Sequence, residues 1–246
     1  LQTFPESYEN TMPLCTMSQW GWHTSTLPSG LDPKALRLTQ YDAHGRPVSY
    51  HTSSEGQGEL FKWLRENPHR LHLGLIGLRL LMSEGREAQA SDISHVEQKL
   101  DLWTGILTSR WQLEGTQVTV RTAVHPVLDL LAVRIESPLI SARRLSVRFA
   151  FPYASPEMGA AAWDKSDRHR SEIIAAMRNG ARLYRTLEAD EYQMAINWSG
   201  EASFAREKAH VFLLHPNGTQ NTLAFVAAFS SRPSPKHLPD AGAAFA

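Results

Sequence analysis

Residues 100–137 read LDLWTGILTSRWQLEGTQVTVRTAVHPVLDLLAVRIES, and this stretch decides the fold class. Leu100, Leu102, Thr104 and Ile106 alternate with residues of opposite parity, the period-2 signature of a strand with two unlike faces. Gly115, after Glu114, breaks the run where a hairpin needs a permissive residue. Val118, Val120 and Thr122 resume the alternation. Pro126 interrupts it again, having no amide hydrogen for a ladder. Beyond it Leu128, Leu130, Ala132, Arg134 and Glu136 fall on one face, and Leu131, Val133 and Ile135 on the other. The reading is three consecutive antiparallel strands in meander order, which implies a large antiparallel sheet.

Upstream, residues 1–69 are mostly irregular, punctuated by Pro5, Pro13, Pro28 and Gly30. Asp32-Pro33 offers an N-cap and first-turn pair for one helical turn. YDAHGRPVSY (41–50) predicts a hairpin turning at His44-Gly45. Ser54 and Gln57 have capping-box spacing ahead of Leu60, Phe61, Trp63 and Leu64, a short amphipathic helix that must end near Asn67-Pro68. RLHLGLIGLRLL (70–81) reads as a strand whose glycines suggest a bulge or close packing. Residues 82–98 look like a polar connection.

Downstream, residues 143–151 read as a strand, and 152–170 as a long loop carrying Trp163, Asp164 and His169. Strands resume near 171–176, 181–188, 191–199, 209–215 and 221–229, with turns at Gly180, Glu188–Asp190 and Asn217-Gly218. No helical crossovers separate them, which argues against a parallel α/β sheet. The expected fold is all-β, a large antiparallel two-sheet super-sandwich with one or two short helices. It would occupy residues 1–229, with 230–246 a linker leaving the domain.

Composition excludes several classes. Lys+Arg and Asp+Glu are both 25, so nucleic acid, which demands a basic surface, is not the expected partner. Cys15 is the only cysteine, which rules out an intrachain disulfide and a Cys-based zinc site. No apolar run is long enough to span a bilayer. His69 and His72 lack a third ligand at metal spacing, and no Gly-x-Ser-x-Gly elbow is present. Gly56-Gln57-Gly58 precedes a helix but follows no strand of a βαβ unit. No metal or cofactor is expected.

The candidate binding residues are aromatic. Trp20, Trp22 and His23 share one short loop, and Trp163 with Asp164 repeats that chemistry in another. Sugar rings present apolar C–H faces that stack on indole, while their hydroxyls need polar neighbours. The competing reading is that these tryptophans pin long loops onto the sandwich. Trp63, Trp103, Trp111 and Trp198 lie in predicted elements and read as core or sheet-face residues. Asp164, Asp167, Glu188, Asp190 and Glu191 are carboxylates in loops and turns, with nothing in the sequence placing two across a cleft.

Five phrases resemble a known family: LQTFPESY (1–8), PLCTMSQWGWHT (13–24), LRENPHRLHLGLIGL (64–78), LDLWTGILTSRW (100–111) and AVHPVLDLLAVRIESPL (123–139). Together they are similar to bacterial six-hairpin glycoside hydrolases, distant relatives of maltose phosphorylases and α-L-fucosidases. The resemblance implies a galactose mutarotase-like N-terminal sandwich, then a linker, then an (α/α)6 barrel that carries the catalytic carboxylates. On that view the chain stops in the linker after Arg232-Pro233 and holds no catalytic residue. Its partners would be the C-terminal barrel of the same polypeptide and a carbohydrate substrate, with homo-oligomerisation open, and its location cytoplasmic, periplasmic or secreted. The Trp20–His23 loop would form a substrate-side wall. The alternatives are a stand-alone carbohydrate-binding module and a mutarotase-like enzyme, for which His125 or His210 with Glu172 or Glu191 would be the acid–base pair.

Overall fold

Two antiparallel sheets of eight and four strands face each other in the computed structural model, which describes residues 3–4, 15–231 and 237–243. Pro5, Pro13 and most of LQTFPESY lie outside these residues, as does Arg232-Pro233. Short elements come first: β1 (Trp22–His23), the hairpin β2 (Thr39–Ala43) and β3 (Arg46–Tyr50), helix α1 (Gly58–Glu66), and β4 (His69–Arg70), which pairs back on β1. The hairpin turns where expected, with His44 and Gly45 both at positive φ. The 3-10 turn Pro33–Ala35 is capped by the Asp32 side chain. Helix α1 is N-capped by Gln57 without a side-chain bond, so the anticipated Ser54–Gln57 box does not form.

The sheets are built from β5 (Leu75–Leu80), β6 (Ile93–Asp101), β7 (Ile106–Leu113), β8 (Thr116–Val124) and β9 (Leu130–Glu136), followed by the single-turn helix α2 (Pro138–Ser141) and β10 (Leu145–Ala150). After the short pair β11 (Tyr153–Ala154) and β12 (Ala161–Ala162) come β13 (His169–Met177), β14 (Gly180–Leu187), β15 (Asp190–Trp198), β16 (Ala202–Lys208), β17 (Val211–Pro216) and β18 (Thr222–Ser230). The large sheet runs β13-β14-β15-β18-β9-β8-β7-β6, and the small one β16-β17-β10-β5. The fold is an all-β antiparallel sandwich.

Alternation explains which residues fill it. From β18, Leu223, Phe225, Ala227 and Phe229 enter the core between the sheets, while Ala224, Val226 and Ala228 face outward. Phe149 of β10 meets Phe225 edge-on at 5.7 Å across the sandwich, a favoured aromatic geometry. The outward alanines are not left to water. With Leu130 and Ala132 they form a second cluster under Leu238 and Ala241, so part of the stretch expected to be a linker packs on the sheet.

Three expectations are corrected. The first strand of the 100–137 meander is two strands, because Asp101–Gly105 is a hairpin turn. Asp101 Oδ1 accepts from the amides of Trp103 and Thr104, and Gly105 adopts φ +70. Trp103 and Leu102 therefore sit at a tip, 97% and 87% exposed, and Trp103 is not a core or sheet-face residue. The polar stretch 82–98 contains most of β6, and β16 was missed; both are edge strands.

Register places the interesting loops together. His169 opens β13 opposite Leu187, Asp190 opens β15 opposite the same residue, and Leu130 of β9 faces Ala228 near the end of β18. In the small sheet Leu75, Ala150 and Val211 lie in one row and cluster. Phe151 donates its amide to the carbonyl of His210, whose ring stacks on His169. These residues therefore share one end of the sandwich, where the chain also leaves β18.

Candidate binding site at the histidine end

A train of five rings runs through this end. His69 meets His23 edge-on at 5.3 Å, His23 meets Tyr153 at 5.5 Å, Tyr153 meets His169 at 6.0 Å, and His169 stacks on His210 at 3.7 Å. The rings come from β1, β4, β11, β13 and the turn before β17, so sequence spacing could not reveal the grouping.

The first half of the train is a closed clasp. His23 Nδ1 donates to Asp190 Oδ2 at 2.7 Å, and Nε2 lies 4.0 Å from Glu188 Oε2. These are the histidine–carboxylate contacts within 4 Å among the described residues. Glu188 also accepts from the Tyr153 hydroxyl at 2.7 Å, the Thr26 amide at 3.1 Å, the Thr26 hydroxyl at 2.9 Å, and Arg168. Partial burial pushes the Glu188 carboxyl up, but these donors outweigh it and hold it below the usual carboxylate range. Burial and the Glu188 charge push the Tyr153 phenol up, so it stays a proton donor. The His23 side chain is sealed from solvent. The clasp ties the Trp20–His23 loop to the β14–β15 turn and to the 166–168 turn.

The second half surrounds a buried cation. Arg185 of β14 is 0% exposed. Its guanidinium donates to the Ser171 hydroxyl at 2.5 Å, Pro152 O at 2.8 Å, His169 Nδ1 at 2.8 Å, Arg170 O at 3.1 Å and the Tyr192 hydroxyl at 3.3 Å. The Phe151 and Tyr192 rings flank it at 5.1 and 5.7 Å. Tyr192 passes its own proton to Leu73 O at 2.6 Å. Carbonyls, lone pairs and π faces thus share the charge that a carboxylate would otherwise take. Burial, then Arg185, push His169 down to about 3. Burial also lowers His210, whose Nδ1 pairs with the Ser171 hydroxyl and whose Nε2 donates to Ser166 O, both at 2.8 Å.

Beside these rings lies a cleft of about 620 Å³, within the usual range of ligand pockets. Its walls include Trp163, Phe151, His169, His210, Arg148 and Glu207. The Trp163 indole is 53% exposed and touches buried His72 edge-on at 6.4 Å. Burial pushes His72 down to about 4.

The residues picked from sequence separate into two kinds. Trp163 stands in the cleft with its face available, and Asp164 beside it is exposed. Trp22 is exposed too, but the Arg70 guanidinium covers its ring at 4.0 Å. Trp20 is half-buried, its Nε1 donating to Asp129 at 2.7 Å and its ring packed near Tyr192. His23 belongs to the clasp. Trp111 and Trp198 are buried as expected. The acid–base pairs considered for a mutarotase do not meet. His125 Nδ1 accepts from the amides of Val127 and Leu128, and Glu191 accepts from Tyr184. Tyr153, Arg185 and His169 were not singled out as binding residues. Arg185 falls on the inward parity of β14 among apolar neighbours, the one local signal that could have flagged it.

No protein-family model matches this chain, and no curated protein matches it. Among solved structures it is similar to one titled "Putative kojibiose phosphorylase from human microbiome", at 9% identity and a TM-score of 0.45. The match covers 69% of this chain and 24% of that one, so the chain spans about a quarter of that protein's length. A likeness this slight says nothing about function.

Proposed function

We propose that this sandwich is the N-terminal accessory domain of a carbohydrate-active enzyme, a glycoside hydrolase or phosphorylase, and that its histidine end meets the substrate. The observation that carries the reading is the cleft beside Trp163. An exposed indole stands over a wall of mixed apolar and hydrogen-bonding groups, the pairing that a sugar's C–H face and hydroxyls require. Trp163 and Asp164 would contact the saccharide. Trp20, Trp22 and His23 would hold the neighbouring loop as a wall, with Arg70 stiffening Trp22 and Asp190 anchoring His23.

Catalytic carboxylates would reside in a helical (α/α)6 barrel C-terminal to this domain, as the family resemblance implies. The clasp supplies none, because each of its carboxylates is held by donors from the protein itself. The test is calorimetric titration of the chain with glucose, galactose and maltose, repeated for Trp163→Ala and Trp22→Ala. Saturable binding that weakens about tenfold in Trp163→Ala supports the reading, that being the scale of one lost aromatic contact. Binding unaffected by either substitution would remove the cleft and the loop from the account.

A further inference from the structure

The cleft contains one hydrogen-bond donor whose identity its surroundings fix. A guanidinium only donates, and Arg185 Nη1 lies 2.8 Å from His169 Nδ1. That nitrogen must present its lone pair, so the proton of the neutral ring sits on Nε2. His169 is 6% exposed and lines the cleft. Its Nε2 has no protein partner among the described residues. Among the described residues the sealed, unpartnered side-chain atoms are His69 Nε2, Arg79 Nε and Trp198 Nε1; His169 Nε2 is not one of them, and His169 lines the cleft. Neighbouring His210 has both nitrogens engaged, Nδ1 by Ser171 and more distantly by Arg185 Nη1, and Nε2 by Ser166 O.

The charges around the cleft balance. Arg148 and Lys208 stand against Glu87 and Glu207. Arg148 reaches Glu87 at 3.4 Å, and Glu207 is taken by Arg79 at 2.7 Å. Arg185 is enclosed, with its hydrogens directed at protein acceptors. Lys208 is the lining cation without an ion pair among the described residues, the formal charges of the lining still cancel, and an uncharged oxygen finds a donor in His169. The guanidinium behind the ring also polarises it and strengthens its N–H as a donor.

We propose that His169 Nε2–H donates to a hydroxyl or ring oxygen of a neutral saccharide seated in this cleft against the Trp163 indole, an inference that rests on the saccharide-binding reading above. Arg185 acts through His169 as a positioning residue.

The test is NMR of the chain with isotope-labelled histidine, observing ring nitrogens near neutral pH. The free protein is expected to show His169 as the neutral Nε2–H form. Maltose, glucose or galactose should shift that resonance saturably, and inorganic phosphate should not. His169→Phe should weaken binding roughly three- to tenfold, the scale of one neutral hydrogen bond, while His169→Gln, which keeps an N–H donor, should retain most of it. The proposal is overturned by an Nδ1–H form, or by phosphate saturating the site. Saturable sugar binding that leaves His169 unmoved overturns this contact while the saccharide-binding reading stands. No binding of any of the three sugars at up to about 50 mM overturns both.

Discussion

The imidazoles of His169 and His210 lie face to face, centroids 3.7 Å apart and planes 20° from parallel, and they come from opposite sheets. His169 opens β13 of the large sheet, and His210 immediately precedes β17 of the small one. The stack clips the sandwich shut at one end. Two rings can approach this closely beside a cation only if both are uncharged, and both are held below the ordinary histidine value by burial and by Arg185.

That neutrality sets an acid limit. Unfolded histidines take up protons near pH 6.5, while in the fold His72 waits until about 4 and His169 until about 3. Protons therefore bind preferentially to the unfolded chain, and stability falls as pH drops below 6.5. Those two residues together are expected to cost about 3 kcal/mol between pH 6.5 and 5, with His210 adding in the same direction. Urea melts at the two pH values measure it, and His72→Gln should remove about half of the drop. A pH-independent melt over this range would contradict the neutral assignments.

Arg185 should be among the costliest side chains to remove. Arg185→Met leaves Pro152 O, Arg170 O and His169 Nδ1 without the donor they share. A loss of about 3 kcal/mol or more is expected, which for a domain of this size lowers the melting temperature by roughly 10 °C. Arg185→Lys should recover only part of it, because a point charge cannot reproduce the planar fork. Calorimetric melting of both variants checks the order.

Gly74 adopts φ +146 against Phe151, and a Cβ there would stand 2.8 Å from that ring. Phe151 flanks Arg185 and lines the cleft. Gly74→Ala is therefore expected to lose about 2 kcal/mol through strain and displacement of that ring. It should also broaden the His169 resonances, because the cation's packing surface moves. Denaturant melts and the same NMR spectra report the two effects.

The opposite expectation holds for Trp103. It stands at a hairpin tip, and the Val127 loop, 84% exposed, lies at the same end of the neighbouring strands. Trp103→Ser should leave unfolding free energy within about 0.5 kcal/mol of the parent. Retention on a hydrophobic-interaction column should fall as the exposed apolar patch shrinks. A large loss of stability would mean that the side chain packs against something.

Elements that obey a local rule were readable from sequence. The His44-Gly45 hairpin needs two positive-φ residues, and the end of α1 at Asn67-Pro68 follows from proline's restriction on the residue before it. Strands β14, β15 and β18 announce themselves because at least one face is buried. Strands β6 and β16 did not, since sheet edges carry charged residues such as Lys99, Arg206 and Glu207, which guard against edge pairing. Leu100, Leu102, Thr104 and Ile106 mimic a strand because their alternation continues across a turn that Asp101 and Gly105 make. In the site, Trp163 could be nominated from its chemistry alone. The His23–Asp190 contact could not, because it joins segments that only the folded sheets bring together; the His169–Arg185 contact spans the hairpin read at Gly180, but its diagonal register was not legible.

The most direct test of the central claim, that the histidine end receives a saccharide at Trp163, is indole N–H chemical-shift mapping. The seven tryptophans give seven reporters spread over the molecule. Titration with maltose is expected to move the Trp163 signal saturably, with Trp103, Trp111 and Trp198 unchanged. A saturating shift confined to any indole other than Trp163, or no shift at all, would contradict the account.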